Sequence, residues 1–338
     1  MKTGKIVGAQ SDTVRTAEGT ATLRRGSLRD YLAIARLDHS TKHVFIIPGI
    51  VLAYALLRPS LGHAALSVPL GFFSAVAIAS ANYVINEWLD REFDAFHPTK
   101  SRRSAVDSIL SPHIVYAEYA ALAAIGLGIA YTLGTLFFCT ALSFVFSGLI
   151  YNVNPIRTKD KAYLDVISES INNPIRLTLG WAMVDPSTLP PISLLLAYWM
   201  GGAFLMCAKR LSEYREISSD GRVDLLHRYR RSFVSYTAEN LTVSCFLYAM
   251  LSAFSVAIFL LKYRLEYIIA FPFFAILFAL YFWLSLRKGS IAQRPERLFR
   301  SRRLMVALGV LVLLLLILTF VDVPFLSYLS NPELIHVN

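Results

Sequence analysis

Apolar stretches of about 15 to 25 residues recur along the chain between short polar segments, and about 20 such residues cross a bilayer's hydrocarbon core. Nine can be read, at residues 44–57, 66–86, 114–133, 135–151, 164–183, 191–208, 238–261, 266–286 and 304–321. The pattern predicts an all-α, polytopic integral membrane protein with about nine transmembrane helices. The first stretch is short, and only Gly134 separates the third from the fourth. The expected division is a cytoplasmic N-terminal segment (1–43), a transmembrane domain (44–321) and a short non-cytoplasmic tail (322–338).

Composition supports this reading. The 338 residues are 55% hydrophobic and 17% charged, with a mean hydropathy of +0.51, well above the usual value for soluble domains. Residues 1–27 are polar and hold no continuous apolar core of a signal peptide, so no cleaved leader is expected. Cys139, Cys207 and Cys245 each fall inside an apolar stretch without CxxC spacing, which predicts packing thiols and neither disulfide nor zinc.

Charge orients the chain. Across nine spans the 33 Lys and Arg fall almost entirely on one side. The other side receives only Arg58, Lys262 and Arg264, and Arg176 alone lies within a span. Basic residues accumulate in cytoplasmic loops, so the N-terminus and the charged loops are expected in the cytoplasm and the protein in a bacterial inner membrane. The same bias, with anionic headgroups, accounts for the net charge of +10 without a nucleic-acid partner.

Four acids and four bases are packed into NYVINEWLDREFDAFHPTKSRR, Asn82 to Arg103, directly behind the second apolar stretch. Asn86, Asp90 and Asp94 are spaced i, i+4, i+8, which stacks them on one face of a helix leaving the second span, each step rising about 6 Å. Such a column of oxygen donors suits Mg²⁺, which takes one or two carboxylates together with phosphate oxygens and water. The turn His97-Pro98-Thr99 then leads to Lys100, Arg102 and Arg103, cations matched to phosphate. The plain alternative is a solvated helix end, with His97 a turn residue.

A second segment, Tyr151 to Trp181, repeats this arrangement. Arg157, Lys159 and Lys161 precede Asp165 and Glu169, again i, i+4, and Asn172, Asn173 and Arg176 follow at membrane depth. Polar groups there are costly unless they pair or line a cavity. A structural pairing of Arg176 with Glu169 or Asp165 is the alternative, and Pro174 predicts a kink. Two acidic columns beside cations suggest one Mg²⁺–diphosphate site, whose chemistry is displacement of diphosphate from carbon.

Asn86-xxx-Asp90-xxx-Asp94 with HPTKSRR, and YLDVISESINNPIR, resemble the two signature regions of the UbiA superfamily of intramembrane prenyltransferases over residues 28–321. The resemblance implies helices around a central cavity, with Asn86, Asp90, Asp94, Asp165 and Glu169 binding Mg²⁺ and diphosphate, and Asp90, Asp94 and Asp165 essential to catalysis. Glu169 departs from the Asp of many members. MCAKRLSEYREI, with Lys209, Arg210 and Glu213, the segment RPERLFRSRRLMVALGVL and KHVFIIPGI are similar to the decaprenyl-phosphate phosphoribosyltransferase branch, which includes a nodulation offshoot tied to arabinosylated signalling oligosaccharides. That branch moves a phosphoribosyl group from soluble phosphoribosyl diphosphate to a polyprenyl phosphate.

In this reading Lys100, Arg102, Arg103, Lys159, Arg176, Lys209 and Arg210 are candidates to hold phosphates. Glu213 orients them or binds a ribose hydroxyl, with an ion pair to Lys209 as the alternative. Arg222 to Tyr236 is expected to form an interfacial helix on anionic lipid, either covering the cavity or serving as an anchor. The rivals are transfer of a prenyl group to a small acceptor and, from another class, a transporter, which calls for polar residues at midplane in several spans. Oligomers are compatible with all three.

Overall fold

The computed structural model describes residues 13–16, 19–22, 24–37, 40–57, 61–97, 100–219, 223–287, 290 and 301–326. Pro98, Thr99, Arg222, residues 291–300 of the basic segment before the ninth stretch, and the end of the tail lie outside them. The chain opens with a short antiparallel hairpin, β1 (Thr13–Thr16) and β2 (Gly19–Thr22), followed by β3 (Arg24–Arg25) and α1 (Leu28–Ile34). Next come α2 (Ile47–Leu57), α3 (Leu61–Asp94), α4 (Ser104–Asp107) and β4 (Ser108–Ile109), which pairs in parallel with β3. Then follow α5 (Pro112–Thr132), α6 (Thr135–Asn152), α7 (Leu164–Ser170), α8 (Asn172–Val184) and α9 (Ile192–Ser219). The last are α10 (Val223–Tyr229), α11 (Ala238–Tyr263), α12 (Phe271–Ser285) and α13 (Arg302–Phe320).

Seven helical segments among the described residues are long and apolar enough to span a bilayer: 64–94, 112–132, 135–152, 192–219, 238–263, 265–285 and 302–320. Two of the nine predicted stretches differ. The first is a shorter apolar helix over His43–Leu57. The fifth is divided at Ile171 into α7 and α8, because Pro174 has no N–H to offer the carbonyl of Ser170 four residues back.

Long lipid-facing helices leave large apolar side chains exposed, as Val243, Phe246, Leu247 and Phe254 of α11 and Val312, Leu313 and Leu316 of α13 do. α8 is the opposite case. It packs against α2, α3, α6 and α9, and every residue from Arg176 to Val184 is buried. A helix surrounded by protein needs no long apolar run, which is why Asn172, Asn173 and Arg176 are tolerated on it. α2 and α8 approach backbone to backbone. A methyl on Gly49 would overlap the Leu177 carbonyl, and one on Gly180 the Ile46 carbonyl.

α5 and α6 turn on Gly134, whose φ of +107° lies in the left-handed region open to glycine. Ile78, Phe137, Phe144, Leu179 and Met183 fill one core, between α3, α6 and α8. Phe204, Leu211, Leu226, Phe233 and Leu241 fill a second, where the segment after α9 folds back onto α9 and α11. Both cores support the polar clusters at the ends of α3, α6 and α9.

Candidate active site

The second membrane helix does not stop where its apolar stretch ends. α3 runs unbroken to Asp94, so Asn86, Asp90 and Asp94 share one face, as the spacing predicts. Asn86 Nδ2 donates to Asn152 Oδ1 at 2.6 Å, and Asn152 at the end of α6 donates in turn to the Gly148 carbonyl at 2.8 Å. Lys159 Nζ donates to Asn152 Oδ1 at 2.7 Å and pairs with Asp90 Oδ1. Arg157 NH2 donates to the same Asp90 oxygen at 3.0 Å. On the other flank Arg103 NH1 donates to Asp94 Oδ2 at 2.7 Å, with Lys100 Nζ 3.6 Å from Asp94 Oδ1. Buried Glu87 joins this flank through Arg36 at 3.3 Å and Arg103 at 3.6 Å.

The basic turn after α6 bends sharply to reach Asp90. Arg157 takes a φ of +26° and Tyr163 one of +65°, unusual for residues with side chains. Burial pushes the Lys159 ammonium down to about 8, with Asp90 opposing and Arg157 adding to the shift. Burial likewise pushes His97 down to about 3, with nearby Lys100 acting in the same direction.

The second acidic pair is placed differently. Asp165 has no exposed surface. Its Oδ1 accepts from Tyr236 Oη at 2.6 Å, and its Oδ2 accepts from Ser232 Oγ at 3.1 Å and Arg210 Nε at 3.2 Å, with Arg230 Nε at 3.4 Å. Tyr236 Oη also accepts from the Tyr163 N–H at 2.7 Å. Burial and Asp165 both raise the Tyr236 phenol, which keeps it a donor. Glu169 Oε2 accepts from Tyr151 Oη at 2.7 Å and Arg210 NH2 at 3.1 Å, and Arg230 NH2 donates to Tyr151 Oη at 2.7 Å. Glu213 Oε2 accepts from Arg210 NH1 at 3.3 Å. Arg210 thus lies among three carboxylates.

The pair between Lys209 and Glu213 does not form among the described residues, because Glu213 turns to Arg210. Nor does Arg176 pair with Glu169 or Asp165. It is buried over the Phe144 ring at 5.0 Å, its NH1 donates to the Asn172 carbonyl at 3.4 Å, and its Nε lacks a protein partner. Arg102 is exposed and joins neither cluster. The structure therefore brings Lys100, Arg103 and Lys159 to the first column and Arg210 and Glu213 to the second acids.

The sequence profile described as the UbiA prenyltransferase family matches residues 45–303, more than half of the chain. The chain belongs to this family. Among curated relatives of this UbiA-family chain, protoheme IX farnesyltransferase of Bacillus mycoides is 29% identical over 136 residues, 39% of the chain and 44% of that protein. Nodulation protein NoeC of Azorhizobium caulinodans is 30% identical over 160 residues, 47% of the chain and 50% of that protein. The chain spans about half the length of the curated relatives it matches. Its fold is similar to that of a UbiA homolog from Archaeoglobus fulgidus solved with DMAPP and Mg²⁺, at a TM-score of 0.63 and 18% identity, covering 87% of this chain and 100% of that one. The same homolog with GPP and Mg²⁺ gives 0.62 and 19% identity over 86% of this chain and 100% of that one.

The first column of this UbiA-family chain fits a hard divalent cation on donor chemistry. It offers only oxygens, from one amide and two carboxylates on one helix face. Several residues here escaped the sequence reading. Tyr151 and Asn152, polar groups closing an apolar stretch, were the available signal on α6. Arg230, Ser232 and Tyr236 lie in the segment read as an interfacial helix on lipid. Its apolar side, Leu226 and Phe233, is instead buried in the second core, which turns Arg230 inward and leaves Arg228 and Arg231 exposed.

Proposed function

We propose that the protein is an intramembrane transferase that displaces diphosphate from carbon, moving a phosphoribosyl group from phosphoribosyl diphosphate to a polyprenyl phosphate. The observation that carries this reading is the polar wall around Asp165. Tyr236, Ser232, Arg210, Arg230, Glu169 and Glu213 form one hydrogen-bonded set there. A hydroxylated, multiply phosphorylated sugar can exchange into such a set, whereas a hydrocarbon chain would leave it without ligand partners.

In this reading Asn86, Asp90 and Asp94 hold Mg²⁺, which when bound supplies charge neutralisation for the departing diphosphate. Lys100, Arg103 and Lys159, now paired with Asp94 and Asp90, transfer those bonds to phosphate oxygens. Lys209 and Arg176 add charge for the second substrate. An oxygen of the lipid phosphate attacks the anomeric carbon, the new C–O bond forms, and the bond to diphosphate breaks with its electron pair leaving on the diphosphate. The attacking phosphate is already ionised near neutral pH, so no general base is required and positioning carries the rate. Attack opposite the leaving group inverts that carbon. The acidic ends of α3 and α9 and the basic turns face the cytoplasm of a bacterial inner membrane, where the soluble donor enters, and the lipid tail lies in the bilayer. The product would feed lipid-linked arabinose, for an arabinosylated glycan or nodulation factor.

A second reading is prenyl transfer from a prenyl diphosphate to a small acceptor. It is favoured by the farnesyltransferase relative and by the Archaeoglobus homolog solved with prenyl diphosphates. Purified protein with Mg²⁺, given radiolabelled phosphoribosyl diphosphate and polyprenyl phosphate in one tube and prenyl diphosphate with an aromatic acceptor in another, separates the two. Lipid-linked pentose phosphate in the first tube supports the phosphoribosyl reading. Product only in the second overturns it in favour of prenyl transfer.

A further inference from the structure

The two acidic sets differ in which oxygens they leave open. Asp90 Oδ1 takes both Lys159 and Arg157, and Asp94 Oδ2 takes Arg103, while Asn86 bonds Asn152 through its nitrogen. Among the described residues no hydrogen bond reaches Asn86 Oδ1, Asp90 Oδ2 or Asp94 Oδ1. Asn86 Oδ1 and Asp90 Oδ2 are therefore open on one helix face, and Asp94 Oδ1 faces only the Lys100 ammonium, 3.6 Å away. Asp165 has none. Both its oxygens accept hydrogen bonds, from Tyr236 on one side and from Arg210 and Ser232 on the other, and the carboxylate is wholly buried.

The cation at the second set is already present in the chain. Arg210 directs Nε to Asp165, NH2 to Glu169 and NH1 to Glu213, at 3.2, 3.1 and 3.3 Å, so one guanidinium spans three carboxylates. The side chain is 3% exposed and anchored on α9, and guanidinium stays charged at any working pH. A divalent ion at this set would have to displace a buried arginine and leave it desolvated without its acids, a strongly unfavourable exchange. At the first set an ion can use the oxygens that remain open.

We propose that the protein has one divalent-cation site, at Asn86, Asp90 and Asp94, and that Arg210 is the permanent cation of the second acidic set, with Asp165 a positioning residue for Arg210 and Arg230 rather than a metal ligand. The inference rests on the divalent-cation reading above and holds whichever group the enzyme transfers. It departs from what the sequence resemblance implies for Asp165 and Glu169.

Mn²⁺ serves as the probe, titrated into purified protein in detergent and followed by the loss of the free-ion paramagnetic resonance signal, without substrates. The expected result is one Mn²⁺ per chain. Asp94→Asn should weaken that binding about tenfold or more, and Asp165→Asn should leave it within about twofold. Two Mn²⁺ per chain, or one site lost or weakened about tenfold in Asp165→Asn, overturns the assignment while leaving the metal reading standing. Wild-type protein that binds no Mn²⁺ refutes the metal reading and this inference together. The wild-type stoichiometry needs no variant to fold.

Discussion

Arg210→Met removes the guanidinium and keeps most of the side chain's apolar length. Three hydrogen bonds to carboxylates disappear, and the acids keep unequal support. Asp165 retains Tyr236, Ser232 and Arg230, and Glu169 retains Tyr151. Breaking one buried ion pair from one side costs about 3–5 kcal/mol, because the remaining charge stays desolvated. With three acids affected, and two of them still bonded elsewhere, the upper half of that range, about 4–5 kcal/mol, is the expected loss.

Adding Asp165→Asn to Arg210→Met removes one of the uncompensated charges. The double variant should therefore be less destabilised than the sum of the singles, by about 1–3 kcal/mol. Equilibrium unfolding by SDS in mixed micelles, read by tryptophan fluorescence, measures all four proteins of the cycle. An Arg210→Met protein as stable as the wild type, or a double variant additive to within about 0.5 kcal/mol, refutes the reasoning that Arg210 is the counter-ion of this set.

Asp90→Ala and Asp94→Ala should each lower turnover by about 10²–10³-fold while membrane insertion and detergent elution stay normal, checked by product formation beside size-exclusion chromatography. Because burial holds His97 near 3 in the fold against an ordinary 6.5, the unfolded chain binds more protons between those values. Stability should therefore fall as pH drops below about 6.5, and His97→Asn should flatten that acid limb in thermal melts between pH 7.5 and 5. Gly180→Ala should force α2 and α8 apart and cost about 1–3 kcal/mol, seen as a lower melting temperature that Gly134→Ala at the α5–α6 turn does not share in kind. In the latter the expected cost is backbone strain at φ +107°, without a steric clash between helices.

What the sequence determined by itself was whatever depends on local periodicity. Apolar stretches of membrane-spanning length, and the placement of Asn86, Asp90 and Asp94 on one helix face, follow from the bilayer's thickness and a repeat of 3.6 residues per turn. The structure carries the first in seven of the nine stretches among the described residues, and the second in α3, which continues past its apolar stretch to Asp94. A sequence window also located the break near Pro174, because a missing N–H acts within one turn.

Tertiary structure decided what periodicity does not encode. Arg210 meets Asp165 across 45 positions, and Tyr236 meets it across 71, so neither pairing leaves a trace in any local spacing. The sequence offered Arg176 with these acids, and Lys209 with Glu213, as alternative pairings. Packing forms neither among the described residues. α8 turns Arg176 over Phe144, and α9 carries Arg210 into the space between α7 and the segment after α10. The same packing buries Leu226 and Phe233 and so sends Arg230 and Ser232 inward, where an amphipathic pattern alone placed the helix on lipid. A hydrophobic face specifies that something must cover it, and only the assembled bundle decides whether lipid or protein does so.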